Sequence, residues 1–288
     1  MKNSNRILKK IEKFYRPVAN NLYSQKFFQD LFSGYAYSLI DNNRLEDDFF
    51  EIASTNKEIE RIFYNEGKYN FSLNLESAID GVLLDLAKFG KAYIYVSTEY
   101  DELSTNVTKK IRTIKFMSLR GTFDKNSFYS MRNNKLHRIR KESVISYDLK
   151  ELGYKRNYFN KIVNKIGKNN VLSNFDRLSN ECSNYEFKVH KEKSLELLLK
   201  TLKDIGYFFT TDELSESHLL YKIIQMRMLK EKFLEYIISK INRELTNRYI
   251  NDVNFEIKPM IRKINYMELW EKYNKGELVQ KDLSRILF

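Results

Sequence analysis

Cysteine is nearly missing from this chain of 288 residues: Cys182 stands alone, so no internal disulfide can form. One cysteine with three dispersed histidines, His137, His190 and His218, cannot assemble a Cys/His zinc site. That usage fits a reducing, intracellular compartment. Glycine and proline are scarce as well, at 9 and 2 residues, which leaves few turn-rich segments, argues against a barrel or sandwich and favours long helices with a minor sheet. No run of about 18 apolar residues occurs, and Met1 to Lys13 is basic without the apolar centre of a signal peptide. The expectation is a soluble protein with no membrane partner. Phosphate-cradling loops are missing too: Gly81, Gly90, Gly121 and Gly153 are isolated, and neither GxxxxGK(S/T) nor GxGxxG is present. A nucleotide-driven enzyme is therefore not expected, and no cofactor is implied.

What the chain does have is positive charge. Fifty Lys and Arg against 38 Asp and Glu give a formal +12, which suits a polyanionic partner through counterion release. A solvated lysine-rich surface accounts for the same sum, so placement decides. Hydrophobic residues make up 42% and aromatics 14%, enough for one large or two small domains with a buried core and too much for global disorder.

The hydrophobic periodicity orders the chain. Phe14, Tyr15, Leu22, Phe27, Phe28, Leu31, Phe32 and Tyr35 fit helical faces on either side of Pro17, predicting a basic leader and then a helix. Thr55 and Glu58 have the spacing of a capping box ahead of Ile59 and Phe63. Leu75, Ala78, Ile79, Val82, Leu83, Leu86 and Phe89 recur every three or four residues and stop at Gly90, which reads as an amphipathic helix with a glycine terminator. The AYIYV run Ala92–Val96 then predicts a strand. Further strands are predicted at 111–117, 128–131, 136–140 and 144–149, with Asn133 and Asn134 as a hairpin turn.

A helix over 158–166, a polar Asn/Ser-rich loop near 168–185 and a helix ending at Gly206 follow, with a second capping box at Thr210 and Glu213. From Ser217 to about Asn247 there is neither Gly nor Pro, and the apolar spacing stays helical for on the order of 45 Å. A strand at 254–258 and two helical pieces at 266–274 and 279–287 close the chain. The expected fold class is α+β, predominantly helical, with a small antiparallel sheet inserted between helices and a long stem-like helix in the C-terminal half. The expected organisation is an N-terminal helical region (1–70), a helix with a small wing-like sheet (71–153), a helical stem-like region (154–250) and a C-terminal strand with a helical pair (251–288).

Residues able to carry chemistry are few. Asp80, Asp85 and Lys91 lie close enough in sequence to suggest metal-dependent nuclease chemistry. Five residues on a helix, however, turn the two carboxylates about 140° apart, so solvated helix positions are the simpler reading. Tyr93 and Tyr95 share one side of their strand and either stack bases or pack against a helix. The leader's Lys9, Lys10, Lys13 and Arg16, interleaved with Phe14, Tyr15 and Tyr23, suit nucleic acid or a partner, and equally an ordinary amphipathic helix. Lys155, Arg156, Lys161, Lys165 and Lys168 form a basic stretch just before the polar loop; they are the leading DNA-facing candidates, with a solvated helix face as the alternative. The long helix has more apolar face than the preceding leucine helix can cover. Leu219, Ile223, Met226, Phe233, Ile237 and Ile241 are accordingly the candidates for contacts between copies of the chain.

Several segments, in order, resemble the portal proteins of tailed bacteriophages. LLDLAKFGKAYIYV (Leu83–Val96) is similar to the place where a helix meets a glycine-led strand in that family. IKFMSLRGTF (Ile114–Phe123) resembles its following strand and turn, and KESVISYDLKELGY (Lys141–Tyr154) the strand leading to the stem. Ser215–Leu245 resembles its long helix, and Met267–Leu287 its terminal helical pair. The resemblance spans about three quarters of the chain.

It implies a non-catalytic ring of about twelve subunits at one capsid vertex, with double-stranded DNA passing through its centre. Terminase and head-completion proteins are its implied partners, and the virion, assembled in the host cytoplasm, its location. Two readings stand beside it: a basic, non-catalytic nucleic-acid-binding protein of a mobile element, and the metal-dependent nuclease.

Overall fold

The computed structural model describes residues 2–15, 22–32, 49–63, 71–100, 111–132, 135–168, 196, 200–202, 205–207, 216–260 and 264–287. The chain divides into two compact units built from discontinuous segments: Met1–Pro17, Phe32–Asn157 and Lys232–Arg262 in one, Val18–Leu31, Tyr158–Glu231 and Lys263–Phe288 in the other. The fold is α+β and predominantly helical, with small antiparallel sheets between helices.

In the first unit, α4 (Phe71–Phe89) buries Leu75, Ala78, Ile79, Val82, Leu83 and Leu86, the stripe that its three- and four-residue spacing predicts. It packs on a three-stranded antiparallel sheet ordered β3 (Ile111–Ser118), β2 (Lys91–Tyr100), β7 (Val144–Asp148). Ala92, Ile94 and Val96 of the central strand are buried. On the strand's other face Tyr93 meets Phe128 and Phe123, with ring centroids 4.8 and 5.6 Å away. Those two residues belong to a second antiparallel sheet, ordered β4 (Gly121–Asp124), β5 (Ser127–Arg132), β6 (Lys135–Arg140). Tyr93 and Tyr95 therefore join sheet to sheet rather than offering a surface for bases.

Two short strands, β1 (Phe50–Ala53) and β8 (Glu256–Pro259), pair antiparallel across some 200 residues of chain. Phe63 of α3 (Lys57–Phe63) stacks on Phe255 beside them at 5.5 Å. Two asparagine side chains take the place of missing strand neighbours. Asn74 of α4 donates to Phe116 O and accepts from Phe116 N, at 3.0 and 2.8 Å. Asn242 does the same for Ile257, at 3.0 and 2.9 Å. Each pair satisfies backbone groups that an edge strand would otherwise expose.

The long helix α6 (Glu216–Arg248) has 33 residues and a length of about 50 Å. It contributes residues up to Glu231 to the second unit and those from Lys232 to the first. In the second unit its Leu220, Ile223 and Ile224 pack with Tyr266 of α7 (Tyr266–Asn274) and with Leu283 and Leu287 of α8 (Gln280–Leu287). Phe27 of α2 (Leu22–Phe32) lies 5.0 Å from Tyr207 and 6.4 Å from Phe159 of α5 (Tyr158–Lys168). Tyr207 donates to Asp30 at 2.8 Å. Among the described residues no helix is long and apolar enough to cross a membrane.

Three expectations change. Among the described residues the single predicted sheet is two three-stranded sheets and a separate β1–β8 pair, and β1 and β4, four residues each, are additions to the predicted strands. The expected capping box is absent: Asn56 Oδ1 accepts from Glu58 N at 2.9 Å, while Thr55 is engaged with Asp252. The leader is itself a helix, α1 (Lys2–Phe14). Cys182, His190, the second capping box and the polar loop beyond Lys168 lie outside the described residues.

Gly90 closes α4 in the left-handed region, at φ +71°, and a Cβ there would stand 2.3 Å from Arg156 O. Gly153 is also left-handed, at φ +87°, but has open space around it. Gly90→Ala combines strain with collision and is expected to destabilise the first unit by about 3 kcal/mol. Gly153→Ala, which has the strain alone, is expected to cost about 1 kcal/mol. Urea unfolding of the two variants checks the ordering; equal losses would exclude the contact with Arg156 as a constraint.

Candidate functional site

The residues around Gly90 form a dense polar and aromatic cluster. Gly90 N donates to Leu86 O at 2.8 Å, ending the helix, and Leu149 N donates to Gly90 O at 3.0 Å, starting the strand register. Asp148, at the end of β7, accepts from Lys150 N at 3.1 Å and from Arg156 Nε at 3.1 and 3.2 Å; Lys91 Nζ stands 3.9 Å away. Burial raises the Asp148 carboxyl, but the hydrogen bonds from Arg156 and Lys150 outweigh it and hold it below the usual range.

About one and a half turns before Gly90, Asp85 is buried, its side chain 7% exposed, and both its oxygens are taken by Arg120 at 2.8 to 3.1 Å. Burial pushes the Asp85 carboxyl up while the Arg120 hydrogen bonds and charge pull it back. The same guanidinium lies over the rings of Phe89 and Tyr15, 5.5 and 5.9 Å from their centroids. Tyr15 donates to Gly121 O at 3.3 Å and accepts from Gly121 N at 3.0 Å. Arg120 thus joins α4, the start of β4 and the end of α1. Sequence spacing gave no sign of this pair, whose members are 35 residues apart. An open cavity of about 380 Å³ lies beside it, lined by Leu84, Met117, Leu119 and Met131 as well as the ion pair.

Asp80, Asp85 and Lys91 do not converge on a common site. Asp85 is held by Arg120, and Lys91 lies beside Asp148. No group of three or more His, Cys, Asp or Glu capable of holding a metal ion occurs among the described residues.

The five DNA-facing candidates fall in two units. Lys155 and Arg156 are exposed in the first, where Arg156 is committed to Asp148. Lys161 and Lys165 are exposed on α5 in the second, where Lys168 closes the helix. The six assembly candidates divide likewise. Ile223 is buried in the α7–α8 core, Leu219 packs against it and Met226 is half-buried. In the first unit Phe233, Ile237 and Ile241 are fully buried, and Phe233 contacts the rings of Phe32 and Tyr154 at 5.7 and 6.2 Å. These three have no free area to offer another copy, because the chain covers them itself.

Removing Arg120 leaves the Asp85 carboxylate buried and unpaired. Arg120→Ala is expected to cost about 2 to 3 kcal/mol, and the double change Asp85→Leu with Arg120→Met is expected to recover most of it. A double variant as unstable as the single one would show that packing, not charge, is what Arg120 supplies. A pH effect is expected about two and a half turns earlier on α4. Glu76 is 6% exposed, and burial, with Asp80 four residues on, pushes its carboxyl up to about 7. The folded state then holds the proton between the unfolded value near 4.5 and about 7. Stability falls as pH rises through that window and is level above it. Glu76→Gln is expected to remove this part of the slope in urea unfolding measured from pH 4.5 to 8.

No protein-family model matches the sequence, and no curated protein matches it. Among solved structures, the chain is similar to a chain from the neck of an empty gene transfer agent particle computed with C6 symmetry. The TM-score is 0.41 at 10% identity, over 98% of this chain and 97% of that one. It is also similar to a chain from the virion of a native gene transfer agent particle, with TM-score 0.34 and 9% identity over 95% of each chain.

Proposed function

We propose that this protein is a structural, non-catalytic subunit of a portal-like ring in a phage-type particle, a conduit for double-stranded DNA during packaging and ejection. The observation that carries the reading is the order of elements on which the portal resemblance rests. α4 ends at Gly90 and enters β2; strands and β7 follow; then come the 33-residue α6 and the terminal α7–α8 pair.

In this role α6 supplies the stem. Its apolar stripe is covered inside each copy, so the faces that join neighbouring subunits are the polar and half-buried ones. Of the six assembly candidates, Leu219 and Met226 retain some exposure. Lys161 and Lys165, exposed on α5, remain candidates to face the duplex as sparse charges, with Lys155 and Lys168. A conduit holds DNA weakly, because every firm phosphate contact would have to break at each step.

The expected assembly is a closed ring of about twelve copies, by the portal resemblance, visible in negative-stain electron microscopy and in the native mass of the purified protein. A monodisperse monomer or dimer at micromolar concentration would refute the proposal.

A further inference from the structure

The net charge is not spread evenly. α1 carries five basic residues and one acid, and the segment Gly121–Arg140 carries the same five and one. Two short elements thus hold +4 each of the chain's +12. They lie some 110 residues apart in sequence, yet the fold brings them together in the first unit. Arg6 and Lys10 of α1 bind the Asp124 carboxylate at 2.9 and 3.2 Å, and Tyr15 is hydrogen-bonded to Gly121.

The strand register divides the sheet's charges, with Arg138 and Arg140 on one face and the Arg132–Lys135 pair on the other. Asp124, Ser127 and Arg140 stand in one row across the sheet, and Thr122, Tyr129 and Arg138 in the next. Phe123, Phe128 and Ile139 form the alternate row, which turns inward to Tyr93. Because directly opposed residues share a face, Arg138 and Arg140 project on the side where Arg6 and Lys10 grip Asp124. Arg138 is held in place by Ser127 Oγ, which accepts from its Nε at 2.7 Å. Lys9, Lys13, Arg138 and Arg140 are exposed, and none pairs with a described carboxylate.

Uniting two elements of +4 around one carboxylate costs self-repulsion that the Asp124 pairs only partly offset. Two strand spacings of about 4.8 Å separate the β6 row of Arg138 and Arg140 from the β4 row that α1 grips, about 10 Å and so comparable with the Debye length of about 8 Å at physiological salt. Such a field is relieved by a surface of regularly spaced anions.

We infer that the outer face of the β4–β5–β6 sheet, with the exposed side of α1, is a contact surface for the phosphate backbone of duplex DNA. Duplex DNA as the partner rests on the ring reading, and the location rests on charge placement alone. The exposed cations of this face are guanidinium and ammonium groups, whose natural partners on a duplex are phosphate oxygens. Its contacts are therefore to phosphate and independent of sequence.

The test is fluorescence anisotropy with a mixed-sequence duplex, using the full chain between 50 and 300 mM salt and measuring native mass on the same samples. Arg138→Gln with Arg140→Gln, and Lys9→Gln with Lys13→Gln, replace exposed side chains, so folding is expected to survive. Each double variant is expected to weaken binding and to lower the slope of log affinity against log salt by about two, near one for each phosphate no longer neutralised. Unchanged slopes in both variants would overturn the inference. So would a loss confined to Lys161→Gln with Lys165→Gln, or tighter binding to polyglutamate than to duplex. Rings that fail to bind duplex also overturn it while sparing the ring; duplex binding by a monomer, abolished in these variants, sustains it and removes the ring.

Discussion

The first unit depends on one reversal of the chain. α4 must end abruptly and β2 must begin at once, because the helix that covers the central sheet and the strand at the centre of that sheet are adjacent in sequence. Gly90 makes this possible by adopting a left-handed conformation where a side chain would strike Arg156 O. Its neighbours then fix the direction of exit. Gly90 O receives Leu149 N, so the first residue after the helix is already in register with β7. Asp148, one residue earlier, gathers Lys91 and Arg156. A backbone constraint and an ionic cluster act on the same few ångströms, and both the α4 interface and the sheet order follow from them.

Arg120 extends that junction outward. It pairs with a carboxylate whose affinity for a proton burial raises, and its planar group lies over Phe89 and Tyr15 while doing so. A lysine would keep the charge but lose the bidentate fork and the stacking. Tyr15 carries the chain of contacts on to Gly121. The N-terminal helix, the core helix and the second sheet therefore share one node, and the position of α1 against β4 is a consequence of how Asp85 is paired.

Much of this fold is legible in the sequence where one local period is enough. The stripe of α4, the glycine stop, the AYIYV strand and the helix over 266–274 need only neighbours three, four or two residues away. What escapes depends on partners distant in the chain. β1 is four residues long, too short to alternate visibly, and its partner β8 lies about 200 residues on. Thr55 has the right spacing for a capping box, but Asp252 binds it and Asn56 caps instead. Asn74 and Asn242 look like ordinary helix-surface residues until an edge strand lies beside each. The candidate site follows the same rule. Spacing placed Tyr93 and Tyr95 on one face but could not say that a second sheet covers it, and helical periodicity marked Phe233, Ile237 and Ile241 as apolar without naming what buries them.

Charge is where local and distant information part most clearly. A total of +12 describes a loose attraction, whereas two elements of +4 joined at Asp124 describe a place. A conduit and a grip ask opposite things of basic residues: translocation tolerates only sparse contacts, and holding needs several at once, since counterion release grows with each phosphate neutralised. The two demands are compatible if they fall on different surfaces. In the proposed subunit the sparse cations are those of α5, and the dense set is α1 together with Arg138 and Arg140 on the outer face of the second sheet. That face is carried by strands whose inner side chains are locked against Tyr93, so the charges sit on a rigid support. Rigidity lowers the entropy cost when each side chain meets a phosphate, and a small set of exposed cations still leaves binding steeply dependent on salt. The arrangement therefore favours a contact that forms firmly at low ionic strength and loosens readily as it rises.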